Sequence, residues 1–519
     1  MKFDFYRDVL SLMMGKLGLP GADNFGRESN QRRSLLLDTV MQGRPRVSSC
    51  KLLQLPAEIL ANIVDLLSND RTSLESLALV NSDCQQLARC CQFAEVNFDY
   101  SLEAKQLASQ LVEDKSSQLS KPGIGACIRR VTFASHPHHV AHTHRELYES
   151  FYGDDAQSVA VEQRQVLSDE AREDRGHLCS PTLESLTWTY IDLARDGGVP
   201  VSIGESVVSF PRLRYLRLQF VKLDSVAISS FLAAPLKSLD LDDRVLNNPS
   251  TFDCKPLRDL EDFAVSHPPQ KASACKRIAK FISQHTGLRR LYLHESSSAQ
   301  GGTAYFDDVI LPTLSSLDFG NLRSLYLAWR EVQIPEKSLR RIGRLVSLEQ
   351  LSLSAGKPSG WQHQWLVDHD ELRQHLRQLQ GLTKLALVRD TCPVPVPYPG
   401  LPSETYYKMR FAGSEETEDA EARPDLDMDQ DTESDAQEGE GLLGDMEETW
   451  ERAHRNRMLD QAEKYAAVFP KLEWMFCGQR PMGFMKTPEG QCEFRRAVPL
   501  TQGRDECRTY RQAIFRGSN

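Results

Sequence analysis

Five histidines fall within nine residues, His136, His138, His139, His142 and His144, and neutral imidazole is a good ligand for zinc, copper or nickel. No Cys or carboxylate joins them at a finger-like spacing, and Pro137 argues for a loop. The tract therefore reads as a solvated loop, with metal binding its less favoured use. Twelve cysteines show no C-x-x-C pair and no even spacing, so neither a disulfide framework nor a thiolate metal site is expected. Cys90 and Cys91 are vicinal and read as two buried thiols on a helix. There is no G-x-x-x-x-G-K-[ST] phosphate loop and no G-x-S-x-G nucleophile elbow. Gly197-Gly198 and Gly301-Gly302 read as turns. No catalytic residue, metal site or cofactor is expected. The remaining chemistry is recognition, and Tyr and Arg are the residue types that anchor interfaces. Tyr215, Arg217, Arg290, Tyr292, Tyr326 and Lys384 are the side chains expected to touch a target, as a basic band beside tyrosines that suits an acidic or phosphorylated ligand.

A repeat must position them. Its pattern is Leu-x-x-Leu-x-Leu, with apolar triplets starting at Leu183, Leu213, Leu236, Leu260, Leu288, Leu322, Leu348 and Leu382. These starts are 30, 23, 24, 28, 34, 26 and 34 residues apart. Weaker copies begin at Ile128 and Leu472. Strand side chains alternate between faces, so the residues between the leucines point outward, with Ser185, Gln350 and Trp474 on the same face as the six above. One strand with its return segment cannot bury an apolar face alone, but stacked neighbours make a continuous core.

Ahead of the repeats, residues 52–91 carry three short helical patterns. Pro56 suits a helix start, where its missing N–H is not needed. Ile59, Leu60, Ile63 and Leu67 follow at helical spacing. Thr72 with Glu75, and Ser82 with Gln85, read as capping boxes ahead of Leu77 and Val80 and of Leu87 and Ala88. Three such helices carry more apolar surface than one small core can bury, so part of it should find a partner.

The opening Leu55, Pro56, Glu58, Ile59 and Leu60, with the later Leu79-Val80, resembles an F-box. Cys84 stands near the place where many F-boxes carry Trp. The resemblance implies docking onto a Skp-type adaptor, and through it a cullin, by Leu55, Pro56, Glu58, Ile59, Leu60, Ile63, Leu67, Leu77 and Val80. The later copies resemble leucine-rich repeats. That family often places Asn three residues after the last Leu; here Val221, Arg244, Ser296, Arg330, Gly356 and Asp390 stand there. Together the layout resembles the fungal-type F-box family with degenerate repeats. It implies a non-catalytic recognition subunit of a Skp–cullin–F-box ubiquitin ligase that binds an unknown target protein; the alternative is a leucine-rich-repeat scaffold acting outside a ligase.

The expected fold is α/β: a mobile segment at 1–50, the F-box at 51–92, an irregular solenoid at 93–400, an acidic disordered linker at 401–448, and a C-terminal helix and capping repeat at 449–519. Phe93–Phe98 reads as a strand leaving the F-box, and 393–399 as polyproline II. The net charge of −10 hides a split. Between Ser414 and Glu448 lie 16 acidic residues and one basic residue, Arg423, and the rest of the chain is mildly basic. No nucleic-acid partner is expected. No apolar run reaches 18 residues, and Asp4, Arg7 and Asp8 interrupt any signal core. No membrane partner is expected, and the compartment should be reducing, cytoplasmic or nuclear.

Overall fold

The structure is a computed structural model that describes residues 70–98, 124–135, 181–190, 208–246, 248–252, 256–265, 272–295, 305–316, 319–356, 365–391, 414–423, 441–486 and 495–500, with isolated positions at 54–55, 59–60, 63, 66–67, 107 and 111. It divides into two units, Met1–Ala94 with Tyr510–Asn519, and Glu95–Thr509. The expectations for residues 1–50, the histidine tract and 393–399 lie outside the described residues.

The first unit is helical. The chain is helical at Ile59, Leu60, Ile63 and Leu66, then forms α1 (Arg71–Ala78) and α2 (Ser82–Gln92). Both helices start as the pattern predicts, but with different caps. Asp70, not Thr72, caps α1, accepting from the Ser73 N–H at 3.1 Å and the Ser73 hydroxyl at 2.6 Å. The Ser73 hydroxyl and amide hold the Asp70 carboxyl below its ordinary range. Asn81, not Ser82, caps α2, accepting from the Cys84 N–H at 2.8 Å. In each case a better N-cap residue lies just upstream, and its carboxylate or amide reaches a free amide of the first turn. Leu74, Cys84, Leu87 and Ala88 are buried between the helices. Cys90 and Cys91 are half-buried rather than fully buried.

The second unit is built on a thirteen-stranded, mostly parallel sheet. The leading strands are β1 (Glu95–Phe98), β2 (Arg130–Ser135), β3 (Ser185–Tyr190), β4 (Tyr215–Gln219) and β5 (Ser238–Leu241). They continue as β6 (Asp262–Val265), β7 (Arg290–His294), β8 (Ser324–Ala328) and β9 (Gln350–Ser354). Next come the short β10 (Trp365–Leu366), β11 (Lys384–Val388) and the short β12 (Asp390–Thr391). The last three are β13 (Trp474–Cys477), β14 (Arg480–Lys486) and β15 (Arg495–Pro499). Every Leu-x-x-Leu-x-Leu copy, both weak copies and the Phe93–Phe98 strand supply one strand each. β1 to β9, β11 and β13 lie side by side in chain order, all parallel; β10 pairs β12 separately.

The motif explains the register. Its first Leu, as in Leu213, Leu236, Leu288 and Leu322, is buried in the turn before the strand, and the next two are buried within it. The residue after that first Leu forms a second ladder. The Lys237 carbonyl accepts the Glu261 and Asp262 amides, and the Glu261 carbonyl accepts those of Arg289 and Arg290. The same step recurs from Arg129 to Glu473. Opposite charges meet along part of this ladder, with Lys237 to Glu261 at 3.1 Å and Arg289 to Glu261 at 3.4 Å. A fully buried leucine stabilises by about 1.5–3 kcal/mol, so three per copy outweigh these exposed ion pairs, each worth about 0–1 kcal/mol.

Return segments carry α3 (Ser225–Leu232), α4 (Asp243–Leu246), α5 (Ala272–Ser283), α6 (Leu311–Ser316), α7 (Glu336–Ile342) and α8 (His369–Leu376). Asp224 caps α3 and Asp368 caps α8. α5 lays Phe281 against Phe263, with ring centroids 4.9 Å apart. His285 is buried there with its tautomer set: Nε2 accepts the Leu257 N–H at 2.9 Å, so Nδ1 donates to the Phe281 carbonyl at 2.6 Å. Burial pushes its pKa down, which keeps it neutral.

Buried acids stand one to three residues after the last Leu of three copies. Asp242 accepts the amides of Phe220, whose φ is 61°, and Val245. Glu295 accepts the Arg330 N–H at 3.2 Å. Asp390, three residues after Leu387, accepts the Gly478 N–H at 2.7 Å. Each acid thus ties a strand exit to the neighbouring turn of chain.

Residues 401–448 are not uniformly a disordered linker. Ser414–Glu421 forms α9, which packs on α10 (Gly441–Val468). Arg457 pairs with Glu416 at 3.2 Å and with Asp419. Arg423 reaches Asp460 at 2.5 Å and Glu463 at 3.0 Å. Asn456 donates to the Asp419 and Ala420 carbonyls at the end of α9. The acids fold because basic and amide groups on another element meet them. α10 buries Trp450, Met458, Ala462 and Tyr465, and also His454, Arg455 and Asn456. The sheet then ends in a hairpin. Gly478 and Gln479 both have positive φ, 55° and 64°, the backbone that a two-residue turn requires. β13, β14 and β15 pair antiparallel.

Candidate interaction surfaces

In the helical unit the side chains divide between core and solvent. Leu60 is buried, while Leu55, Ile63, Leu67 and Leu77 are half-buried. Ile59 and Val80 are 45% and 62% exposed. Pro56 and Glu58 lie outside the described residues. Leu66 and Leu79, absent from the expected contact set, are the most exposed apolar residues among the described residues of this unit, at 85% and 87%. Leu79 is the C-cap of α1, and Val80 follows it in the turn. The helical spacing that marks a core cannot mark these positions, because they stand where the helix ends. Leu79 and Val80 form an apolar pair in that turn, a pair already visible in the sequence.

On the sheet, the strand registers bring the six expected target contacts onto one face. Tyr215, Arg290 and Lys384 share one cross-strand row, and Arg217, Tyr292 and Tyr326 share another. All six are half-buried, and their strand neighbours Leu216, Leu218, Leu291, Leu293, Leu325 and Leu385 are buried on the other face. Trp474, in the same row as Lys384, is buried and so is not part of the open surface.

The charges do not form the expected basic band. Arg217 Nε donates to Asp240 on β5 at 2.7 Å. Arg290 grips Asp262 on β6 through Nε and Nη2, both at 2.6 Å. Burial pushes the Lys384 pKa down, against the opposing pull of Glu473. The two aspartates occupy the same outward slots one strand away, so aligning the copies would have placed them opposite the arginines.

Beside them the rings of Tyr292 and Tyr326 stack, 4.0 Å apart and 15° from parallel. His294 Nε2 lies 2.8 Å from the Tyr292 hydroxyl, and its ring is 5.5 Å from Tyr326. The face therefore offers an aromatic patch flanked by neutralised charge. Among the described residues no helix is long and apolar enough to cross a membrane. No family model matches the chain, and no curated protein matches it.

Proposed function

We propose that this chain is a target-recognition subunit of a Skp–cullin–F-box ubiquitin ligase, acting in the cytoplasm or nucleus. The helical unit would bind the Skp-type adaptor, and through it a cullin. The face carrying Tyr215, Arg217, Arg290, Tyr292, Tyr326 and Lys384 would bind the target protein. The chain would contribute proximity, holding the target at high effective concentration near the ligase. The observation that carries this reading is the exposure of Ile59, Leu66, Leu79 and Val80 in a small helical unit whose own core is already filled by Leu60, Leu74, Leu87 and Ala88. Exposed apolar side chains mark an interaction site where they form one contiguous patch, and Leu79 and Val80 are adjacent.

The open face supports a target anchored on aromatic rings more than an acidic or phosphorylated one, because Asp240 and Asp262 already satisfy the two arginines. The test is co-purification with a recombinant Skp-type adaptor. Replacing Leu79 and Val80 with Glu should cut adaptor recovery at least tenfold while the thermal midpoint of the sheet unit stays put, since both side chains lie in solvent. Undiminished recovery would leave the repeat scaffold acting outside a ligase as the better reading.

A further inference from the structure

Two return helices of neighbouring repeats bring three ligating side chains together. Glu371 and His375 stand one turn apart on α8 and so share a face. Glu336 opens α7, in the preceding return segment. His375 Nε2 lies 3.4 Å from a carboxylate oxygen of Glu336 and 3.4 Å from one of Glu371. One donor atom from each residue falls within 4.8 Å of the others.

Bonds of about 2.0–2.1 Å from a tetrahedral Zn²⁺ place its ligands about 3.3 Å apart. The two imidazole-to-carboxylate separations already match that edge. Both glutamates are exposed and can close the remaining gap, while His375 is largely enclosed. The backbone beneath is held by a close approach. A Cβ on Gly343, the C-cap of α7, would come 2.1 Å from the His375 carbonyl oxygen. Glycine therefore lets α7 end against the residue that carries the imidazole.

We propose that Glu336, Glu371 and His375 form a binding site for a divalent transition metal of the Zn²⁺ type, which clips two adjacent return helices together. One imidazole nitrogen and two carboxylate oxygens suit Zn²⁺, Co²⁺ or Ni²⁺ and not Ca²⁺ or Mg²⁺, which take oxygen ligands. Water completes the shell on the exposed side. Arg340, which now donates to Glu336, gives up that oxygen to the metal. The site lies on α7 and α8, apart in sequence from the histidine tract.

The test uses the full chain with His136, His138, His139, His142 and His144 changed to Gln, so that the tract adds no background. Metal is stripped with a chelator, and Zn²⁺ alone is titrated by calorimetry. One equivalent should bind in the micromolar range. Glu336→Gln and His375→Ala should each weaken that equivalent at least tenfold, while any cysteine-bound background stays the same. Glu336 is exposed, so its variant decides the matter if His375→Ala misfolds by circular dichroism. Equal Zn²⁺ uptake by the parent and Glu336→Gln overturns the site, as does the absence of a micromolar equivalent in the parent.

Discussion

Asp390 is fully buried, and burial pushes its pKa up to about 7, with the Gly478 amide pulling the other way. Its neighbours include Tyr465 from α10, whose own phenol is driven further up by burial and by nearby charges. An acid in this position is linked to folding through its proton. From about pH 4, the ordinary value, to about pH 7, the folded chain holds a proton that the unfolded chain has released. The stabilising contribution is therefore complete below about pH 4 and fades as pH rises through about 7. Asp390→Asn keeps a carbonyl oxygen for the Gly478 amide and removes the titration. Urea midpoints followed by tryptophan fluorescence from pH 5 to 8 should fall with pH in the parent and fall less in Asp390→Asn. The variant should be the more stable of the two at pH 8, by an amount on the order of 1–4 kcal/mol. Parallel curves would mean that the carboxyl titrates alike in both states. This residue was visible in the sequence at the place of the repeat family's Asn. Its protonation was not, because burial is a property of the fold.

At the scale of elements, the acidic helix α9 shows what composition omits. A run of 16 acids and one arginine reads as too charged to fold. Its first third nevertheless docks, through Arg423 inside the run and through Arg457 and Asn456 outside it. The partners lie some 40 residues further along, beyond the reach of any local window. Each partly exposed pair is worth about 0.2–1 kcal/mol, so the helix should hold only while several pairs act together. Arg457→Ala should open residues 414–423 to a glutamate-specific protease, at least fivefold faster than in the parent. Cleavage sites mapped by mass spectrometry would read this out. Equal cleavage rates would show that α9 is held by something other than these pairs. The strands are the contrary case. Each copy carries its own apolar triplet and its own ladder residue, so ten strands were legible from spacing alone, and β1 from its alternation. The caps Asp70 and Asn81 were displaced by one or two residues because two capping residues compete at each start.

At the scale of the whole chain, the division at Ala94 and Glu95 falls beside the expected F-box boundary at 92. The expected break at 448 does not exist as a division: α9, α10 and the closing hairpin belong to the same unit as the strands. Residues 95–509 alone should fold cooperatively, with a thermal midpoint within about 3 °C of the sheet unit in the full chain. They should lose the proposed adaptor binding and keep whatever target binding the full chain has. A fragment that melts without cooperativity would show that residues 1–94 are part of that fold.

The sequence by itself determined the order of the strands, their common face and the helical unit ahead of them. These follow from local periodicity, and stacking identical patterns leaves one way to bury them. It also placed Tyr292 and Tyr326 one strand apart in the same slot, which is enough to stack them. Only the tertiary structure decided which charges are free. Arg217 and Arg290 were read as a basic band because each was judged within its own copy. Asp240 and Asp262 neutralise them from the next strand, 23 and 28 residues away in sequence and 2.7 and 2.6 Å away in space. Charge at a surface is a sum over neighbours, and the neighbours are set by the fold.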